Sequence, residues 1–147
     1  MQMNGKRALL VASMLASLCV TSSALAQSTD EPPTFDNSAE PKPYPPCTTE
    51  PDEISMQGAQ GAFQAGSASF NEADYTRAIF YWEDAYRRDC TAHAMLKNLA
   101  RAYELNEQYP HAILALQTYL ERTPNSGEEE SIQRRIEALE RKRSGWG

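Results

Sequence analysis

The sequence is poor in the residues that build metal and catalytic sites. Its 147 residues include two histidines and three cysteines, and their spacing matches no recognised set of metal ligands. The chain also lacks a Gly-rich phosphate-binding loop, a Gly-x-Ser-x-Gly elbow and a His-Glu-x-x-His pair. We therefore expect no metal, no cofactor and no enzymatic activity.

No apolar run is long enough to cross a bilayer, which takes about 20 residues. The longest, residues 8–20, follows two basic residues and precedes the small-x-small pattern of residues 24–26. A basic start, a short apolar stretch and small residues at its end are typical of a secretory signal. We expect residues 1–26 to be removed between Ala26 and Gln27. The mature chain would then be exported to the periplasm or secreted, without inserting in a membrane.

Basic residues are too few for a nucleic-acid-binding face. Removing residues 1–26 takes away Lys6 and Arg7 and no acidic residue. Twelve basic residues then remain against twenty acidic ones, a net charge of −8. Because nucleic-acid binding requires a basic surface, no nucleic acid is expected as a partner. Acidity of this size favours solubility and identifies no partner.

Proline is concentrated in one segment. Seven of the nine prolines lie between residues 27 and 51: Pro32, Pro33, Pro41, Pro43, Pro45, Pro46 and Pro51. Proline lacks an amide donor and restricts φ, so neither a helix nor a central strand fits here. We expect residues 27–52 to form a disordered, partly polyproline-like tether. A Pro-x-x-Pro ligand for a recognition domain is the alternative.

After the prolines, apolar residues recur at helical spacing, which predicts an all-α domain over residues 53–142. The predicted helices cover about residues 53–70, 74–88, 92–106, 110–122 and 127–142, and residues 143–147 form a flexible tail. Ile54 and Phe70 belong to the apolar face of the first helix. Ser126-x-x-Glu129 has the spacing of a capping box. His93 is expected to cap the third helix or to face solvent.

An offset of 34 residues aligns the second half of this domain with the first. The matched pairs are Gly66 and Ala100, Tyr75 and Tyr109, Ala78 and Ala112, Ile79 and Ile113, Trp82 and Leu116, and Ala85 and Tyr119. Small residues recur where helices must approach closely, and large ones where a space must be filled. This pattern is typical of a helical hairpin that buries its apolar stripe by stacking on a copy of itself.

The second unit carries Leu99-Ala100-x-x-Tyr103, Tyr109-x-x-Ala112, Leu116 and Pro124, and resembles the tetratricopeptide repeat family. The resemblance covers about residues 59–126. The first unit departs at Ser69, where the family prefers an aromatic residue, and at Cys90, which replaces the closing proline. The resemblance implies an exported bacterial protein with two antiparallel hairpins. These would stack as a short right-handed solenoid, closed by the fifth helix as a cap.

The resemblance also implies a concave groove, because the first helix of each unit lines one in this family. Its expected residues are Gln60, Phe63, Gln64, Ser67 and Asn71 from the first unit, and Lys97, Asn98, Arg101 and Leu105 from the second. Lys97 and Arg101 would form a basic spot suited to a carboxylate or an acidic peptide. Solvated charge is the alternative for these two residues, and a core position is the alternative for Phe63. The family's carboxylate clamp is not reproduced, since Glu128 and Ile132 replace two of its basic residues.

The function that follows is protein binding. We expect an envelope scaffold or adaptor that holds a partner peptide or helix in this groove. The alternative is a structural module that associates with itself, because a stack of two repeats has exposed end faces that a second copy could cover.

The cysteines extend this prediction. Cys19 lies in the signal, where a lipid anchor is the alternative, although Leu18 occupies the place of the small residue in lipoprotein signals. Cys47 and Cys90 remain as an even pair in an oxidising compartment. In an antiparallel hairpin the start of the first helix lies beside the end of the second, so we expect a Cys47–Cys90 disulfide. Two independent thiols or an intermolecular bond are the alternatives.

Overall fold

A computed structural model describes residues 40–145 of the chain. The predicted signal, the first part of the predicted tether and the last two residues lie outside this range. Over the described residues the secondary structure is entirely helical, which confirms the all-α prediction. The helices are α1 (Glu53–Asn71), α2 (Tyr75–Arg88), α3 (Met95–Leu105), α4 (Tyr109–Arg122) and α5 (Glu129–Arg143).

The start of α5 differs from the prediction. The helix begins at Glu129, and the Ser126 hydroxyl accepts a hydrogen bond from the Glu128 amide at 3.3 Å rather than from Glu129. Gly127 has a φ of 78°, so the backbone is not helical between Ser126 and α5. The predicted capping box is therefore wrong. With a positive φ at Gly127, the Ser126 hydroxyl meets the amide of Glu128 and not that of Glu129.

The same turn joins α1 to α2 and α3 to α4. Ala73 and Glu107, one repeat length apart, have φ values of 61° and 60°. The amide of each donates to the carbonyl three residues earlier, at 3.0 and 3.1 Å. The next amide donates to the carbonyl five residues earlier, at 2.9 and 2.8 Å. These are the bonds of a Schellman motif. The repeat in the sequence is thus a repeat in the backbone.

Consecutive helices pack on one another from α1 to α5. The core uses the positions that the 34-residue offset pairs: Trp82 is 5% exposed, and Leu116, its equivalent, is fully buried. The largest fully buried side chains are Ile79, Leu96, Leu99, Leu116 and Leu139. Helices α2 to α5 therefore each contribute an apolar stripe that their neighbours cover, as the periodicity predicted, and α1 adds the partly buried Ala62 and Phe70.

Close approach of α1 and α2 depends on Gly66. A Cβ at this position would lie 2.5 Å from Cδ1 of Trp82, well inside van der Waals contact. The indole packs beside the Phe70 ring, at a centroid distance of 5.3 Å. Ile54, by contrast, is 81% exposed, so its predicted core position is wrong. No described element covers that side of the first turn of α1.

Part of the predicted tether is fixed to the helices. Residues 40–52 contain neither helix nor strand. The Tyr44 ring meets that of Tyr86 edge to face at 5.7 Å, and Arg122 donates to the carbonyls of Tyr44 and Pro45 at 3.0 and 2.8 Å. We call residues 42–49 the strap. The prediction of a disordered tether thus does not describe the strap, because an aromatic ring and a guanidinium anchor it.

The disulfide prediction is confirmed. Cys47 in the strap is bonded to Cys90, which follows α2, and their Cα atoms are 5.4 Å apart. The bond closes the strap onto the end of the first helical hairpin.

Candidate protein-binding surface

The nine predicted groove residues lie on α1 and α3, two helices that both pack on α2. We call these nine residues the groove face. None of them is buried. On each helix they follow one another mostly at steps of three or four residues, so each set shares one side of its helix. All nine side chains are therefore accessible to a partner.

Phe63 provides an apolar anchor on this face. Its side chain is 37% exposed, and its ring stacks on Trp82 at a centroid distance of 6.2 Å and an interplanar angle of 25°. The Phe63 carbonyl accepts hydrogen bonds from Nε1 of Trp82 at 3.2 Å and from the Ser67 hydroxyl at 2.8 Å. Phe63 thus combines the two roles that the sequence left open, since one side of the ring packs and the other faces solvent.

Uncharged amides surround this anchor. Gln60, Gln64 and Asn71 are exposed, and their side chains form no hydrogen bond within residues 40–145. An amide side chain both donates and accepts, so it can pair with the backbone of an extended peptide in either direction. The α1 part of the groove face therefore offers one aromatic ring among free amides.

Lys97 is already paired. Its Nζ lies 2.9 Å from both carboxylate oxygens of Glu128 and 4.9 Å above the Tyr119 ring. The Tyr119 hydroxyl donates to the same carboxylate. The hydrogen bond with Glu128 raises the pKa of Lys97, and the bonds from Tyr119 and Lys97 lower the pKa of Glu128. An internal carboxylate thus occupies the position that a partner's acidic group was expected to take.

The basic spot lies instead around Glu104, at three side chains that we call the basic cluster: Arg101, Arg135 and Lys142. They lie 3.3, 3.1 and 2.8 Å from the Glu104 carboxylate. Burial alone would raise the pKa of Glu104, but the hydrogen bonds from Lys142 and Arg135 outweigh it and hold that pKa below its usual value. Three cations share one anion, so the cluster keeps a net positive charge on an acidic protein.

Sequence reasoning found only Arg101 of this cluster. Arg135 and Lys142 are seven residues apart, so they lie on the same side of α5. That spacing is visible in the sequence, but charges of both signs follow one another over residues 134–143, a pattern typical of an ordinary solvated helix face. Only the packing of α5 brings them to Glu104.

A second polar cluster lies under the strap. A pocket of about 460 Å³ lies between the strap and α2, with Glu83 and Tyr86 among its lining residues. The Tyr103 hydroxyl donates to Glu83, and the Tyr44 hydroxyl lies within hydrogen-bonding reach of Tyr103. Burial raises the pKa of both phenols, so they stay protonated in the neutral range. Hydrogen bonds of these two phenols therefore help to hold the strap against the helices.

His93 was predicted to cap α3 or face solvent; its side chain does not cap α3, and it is partly exposed. Its Nδ1 lies 3.1 Å from the Tyr86 hydroxyl, which also accepts a hydrogen bond from Arg122. The hydroxyl has one proton and two acceptor lone pairs, so the tautomer of His93 sets which of these two groups donates to the other. Burial, and then the nearby Arg122 charge, lower the pKa of His93. The histidine therefore supports the arginine that anchors the strap.

The described part of the chain contains no group of three His, Cys, Asp or Glu side chains arranged to hold a metal ion. None of its helices combines the length and the apolarity needed to span a membrane. No protein-family model matches the sequence, and a search of curated proteins finds none that is similar.

Proposed function

We propose that this chain is an exported scaffold or adaptor of the tetratricopeptide-repeat type, without enzymatic activity, that binds a partner peptide or helix on its groove face. The duplicated hairpin turn and the paired buried positions support a stack of two repeats closed by α5. In this arrangement α1 and α3 line the concave side of a short right-handed solenoid.

The observation that carries the proposal is the half-exposed Phe63 ring on its Trp82 support. A rigid aromatic side chain loses little entropy on binding, so it is a good anchor for an apolar group of a partner. The basic cluster adds attraction for an acidic group and favours faster encounter at low salt. The partner segment that fits is therefore one with an apolar residue and acidic residues.

The proposal of export has support of its own. A bonded Cys47–Cys90 pair is stable in an oxidising compartment and rare in the cytosol. The predicted signal, residues 1–26, lies outside the described residues. N-terminal sequencing of the protein recovered from its producing cells tests it. A chain that starts at Gln27 supports cleavage and export, and a chain that keeps residues 1–26 contradicts both.

Site-specific crosslinking tests the binding surface. A photoreactive residue at Gln64 should capture a defined partner, identified by mass spectrometry, because that side chain is exposed and unpaired. The same residue at Gln117, exposed on α4, is the matched control and should not capture that partner. Equal capture from both positions would count against the groove face.

A pair of phenylalanine variants then measures the anchor. Phe63 and Phe80 are exposed to similar extents, 37% and 42%, but Phe80 lies on α2. Phe63→Ser should weaken binding of the captured partner by at least about tenfold, the lower range for a central aromatic anchor. Phe80→Ser should leave the affinity unchanged. Equal effects of the two variants would remove Phe63 from the site.

A further inference from the structure

The two terminal helices differ sharply in charge. α1 has 19 residues, and its single charged side chain is Glu53 at the first position. α5 has 15 residues, nine of them charged. In a stack of helical hairpins both terminal helices expose an outer side, which usually needs polar residues for solubility. α5 meets that need with charge, and α1 does not.

The repeat shows which side of α1 lacks a neighbour. Moving back by 34 residues places Gly61, Ala65 and Ala68 in α1 at the positions of Met95, Leu99 and Ala102 in α3. Those three α3 residues are all buried. In α1 the corresponding side has no preceding unit, so Gly61 and Ala68 are exposed and Ala65 is partly exposed.

This side forms a continuous uncharged surface. We call it the end face, and its residues are Ile54, Gln57, Gly61, Ala65 and Ala68. They follow at steps of three or four residues, so they share one side of α1. Ile54 is 81% exposed, and a Cβ added at Gly61 would meet nothing within 4 Å. An exposed apolar side chain beside small residues lets another helix approach closely.

We propose that a second copy of this chain covers the end face, with α1 packed against α1 of the partner copy about a two-fold axis. An isologous contact places the same surface on both sides, so it must not bring like charges together. The chain is acidic overall, but its end face carries no charge. The side-chain amide of Gln57 in one copy can donate a hydrogen bond to Gln57 of the other copy and accept one from it, because an amide has both a donor and an acceptor.

Charge also argues against stacking head to tail. In such a stack, charged side chains on the outer side of α5 would lose their hydration against an end face that has no opposite charge. These side chains include Glu130, Arg134 and Glu137. A closed dimer is thus favoured over an open filament. The dimer goes beyond the proposed function, and it would carry two groove faces in one particle.

The oligomeric state of the protein tests this inference. The protein is purified without reductant, with all of the chain that its producing cells leave in place. Sedimentation equilibrium over a range of concentrations should show a monomer–dimer equilibrium. Its constant should change little with added salt, since uncharged surfaces are not screened. Gly61→Glu should raise the dimer dissociation constant by at least about 100-fold, because it opposes two like charges across the axis.

Two further variants keep the test decisive. Gln57→Glu is isosteric and exposed, so it should leave the monomer folded, and it should weaken the dimer in the same direction. Gln133→Glu adds the same charge at an exposed position of α5 and should leave the dimer intact. Circular dichroism should show unchanged helicity in all three variants.

A monomer at every concentration would overturn the proposal. So would a dimer that survives both end-face variants, or one that dissociates on adding salt. If the chain is a monomer and the end-face variants instead lose a different captured protein, the end face binds that protein and not a second copy. Phe63→Ser should leave the dimer unchanged, so failure of the groove proposal and failure of this one are distinguishable.

Discussion

Two glycines of α1 should respond in opposite directions to the same substitution. In the interior of a helix, alanine is favoured over glycine by about 0.5–1 kcal/mol. At Gly61 an added Cβ meets nothing within 4 Å, so Gly61→Ala should realise this gain. At Gly66 the same methyl group would lie 2.5 Å from Cδ1 of Trp82 and 2.6 Å from its Nε1, so the indole or α1 must move.

The indole has little room to move. It lies beside the rings of Phe63 and Phe70, at centroid distances of 6.2 and 5.3 Å, and its Nε1 donates to the Phe63 carbonyl. Overpacking of a filled core costs roughly 1–3 kcal/mol, and loss of one hydrogen bond costs about 1 kcal/mol. After the helix-propensity gain, we expect Gly66→Ala to lower the free energy of unfolding by about 1–3 kcal/mol. For a domain of this size, 1 kcal/mol corresponds to about 4–8 °C in Tm.

Thermal and urea unfolding followed by circular dichroism will measure both variants, at a concentration low enough to exclude association. The second repeat supplies a rescue, because its equivalent pair is Ala100 and Leu116. Gly66→Ala should therefore be tolerated in a Trp82→Leu background, with a favourable coupling free energy of about 1 kcal/mol or more. If Gly66→Ala stabilises the wild type as much as Gly61→Ala does, Trp82 does not pack tightly against Gly66 of α1.

Three further results are expected. Cys47→Ser combined with Cys90→Ser should lower the free energy of unfolding by up to about 4 kcal/mol, the chain-entropy value for a separation of 43 residues. A reductant should destabilise the wild type but not this double variant, and unfolding that ignores reductant would contradict the bond. Burial lowers the pKa of His93 and His111, so the unfolded chain binds their protons more readily. Stability should then fall as the pH drops below about 6.5, the ordinary histidine pKa, and a His93→Gln, His111→Gln variant should show a flatter profile in urea titrations between neutral and mildly acidic pH. Glu107→Gly should raise the free energy of unfolding by about 1 kcal/mol, because glycine adopts the 60° φ of this turn without strain; a lower Tm would show that the Glu107 side chain matters more than its backbone.

Local pattern was enough to predict five helices and the apolar stripes of α2 to α5. The 34-residue offset also paired Trp82 with Leu116, and both are buried. The disulfide followed from hairpin topology, since antiparallel helices place the flanking residues side by side. These predictions held because each depends on spacing along the chain, which periodicity measures directly.

The binding surface was only partly predictable. The sequence identified Phe63 and Arg101 as accessible, but not the pairing of Lys97 with Glu128 or the assembly of the basic cluster around Glu104. These contacts join residues that lie 31 positions apart, so no local pattern reports them. Whether a surface lysine is free for a partner depends on which carboxylate the next element brings to it.

The sequence alone thus determined the helical class, the repeat length and the cysteine pair, because hydrophobic spacing and chain direction constrain all three. Tertiary structure decided that Ile54 faces solvent, that His93 supports Arg122, and that the strap lies against the helices rather than free. The physical reason is that burial and charge pairing depend on what lies across the gap between elements. The sequence of one segment does not show which other segments pack against it in the fold.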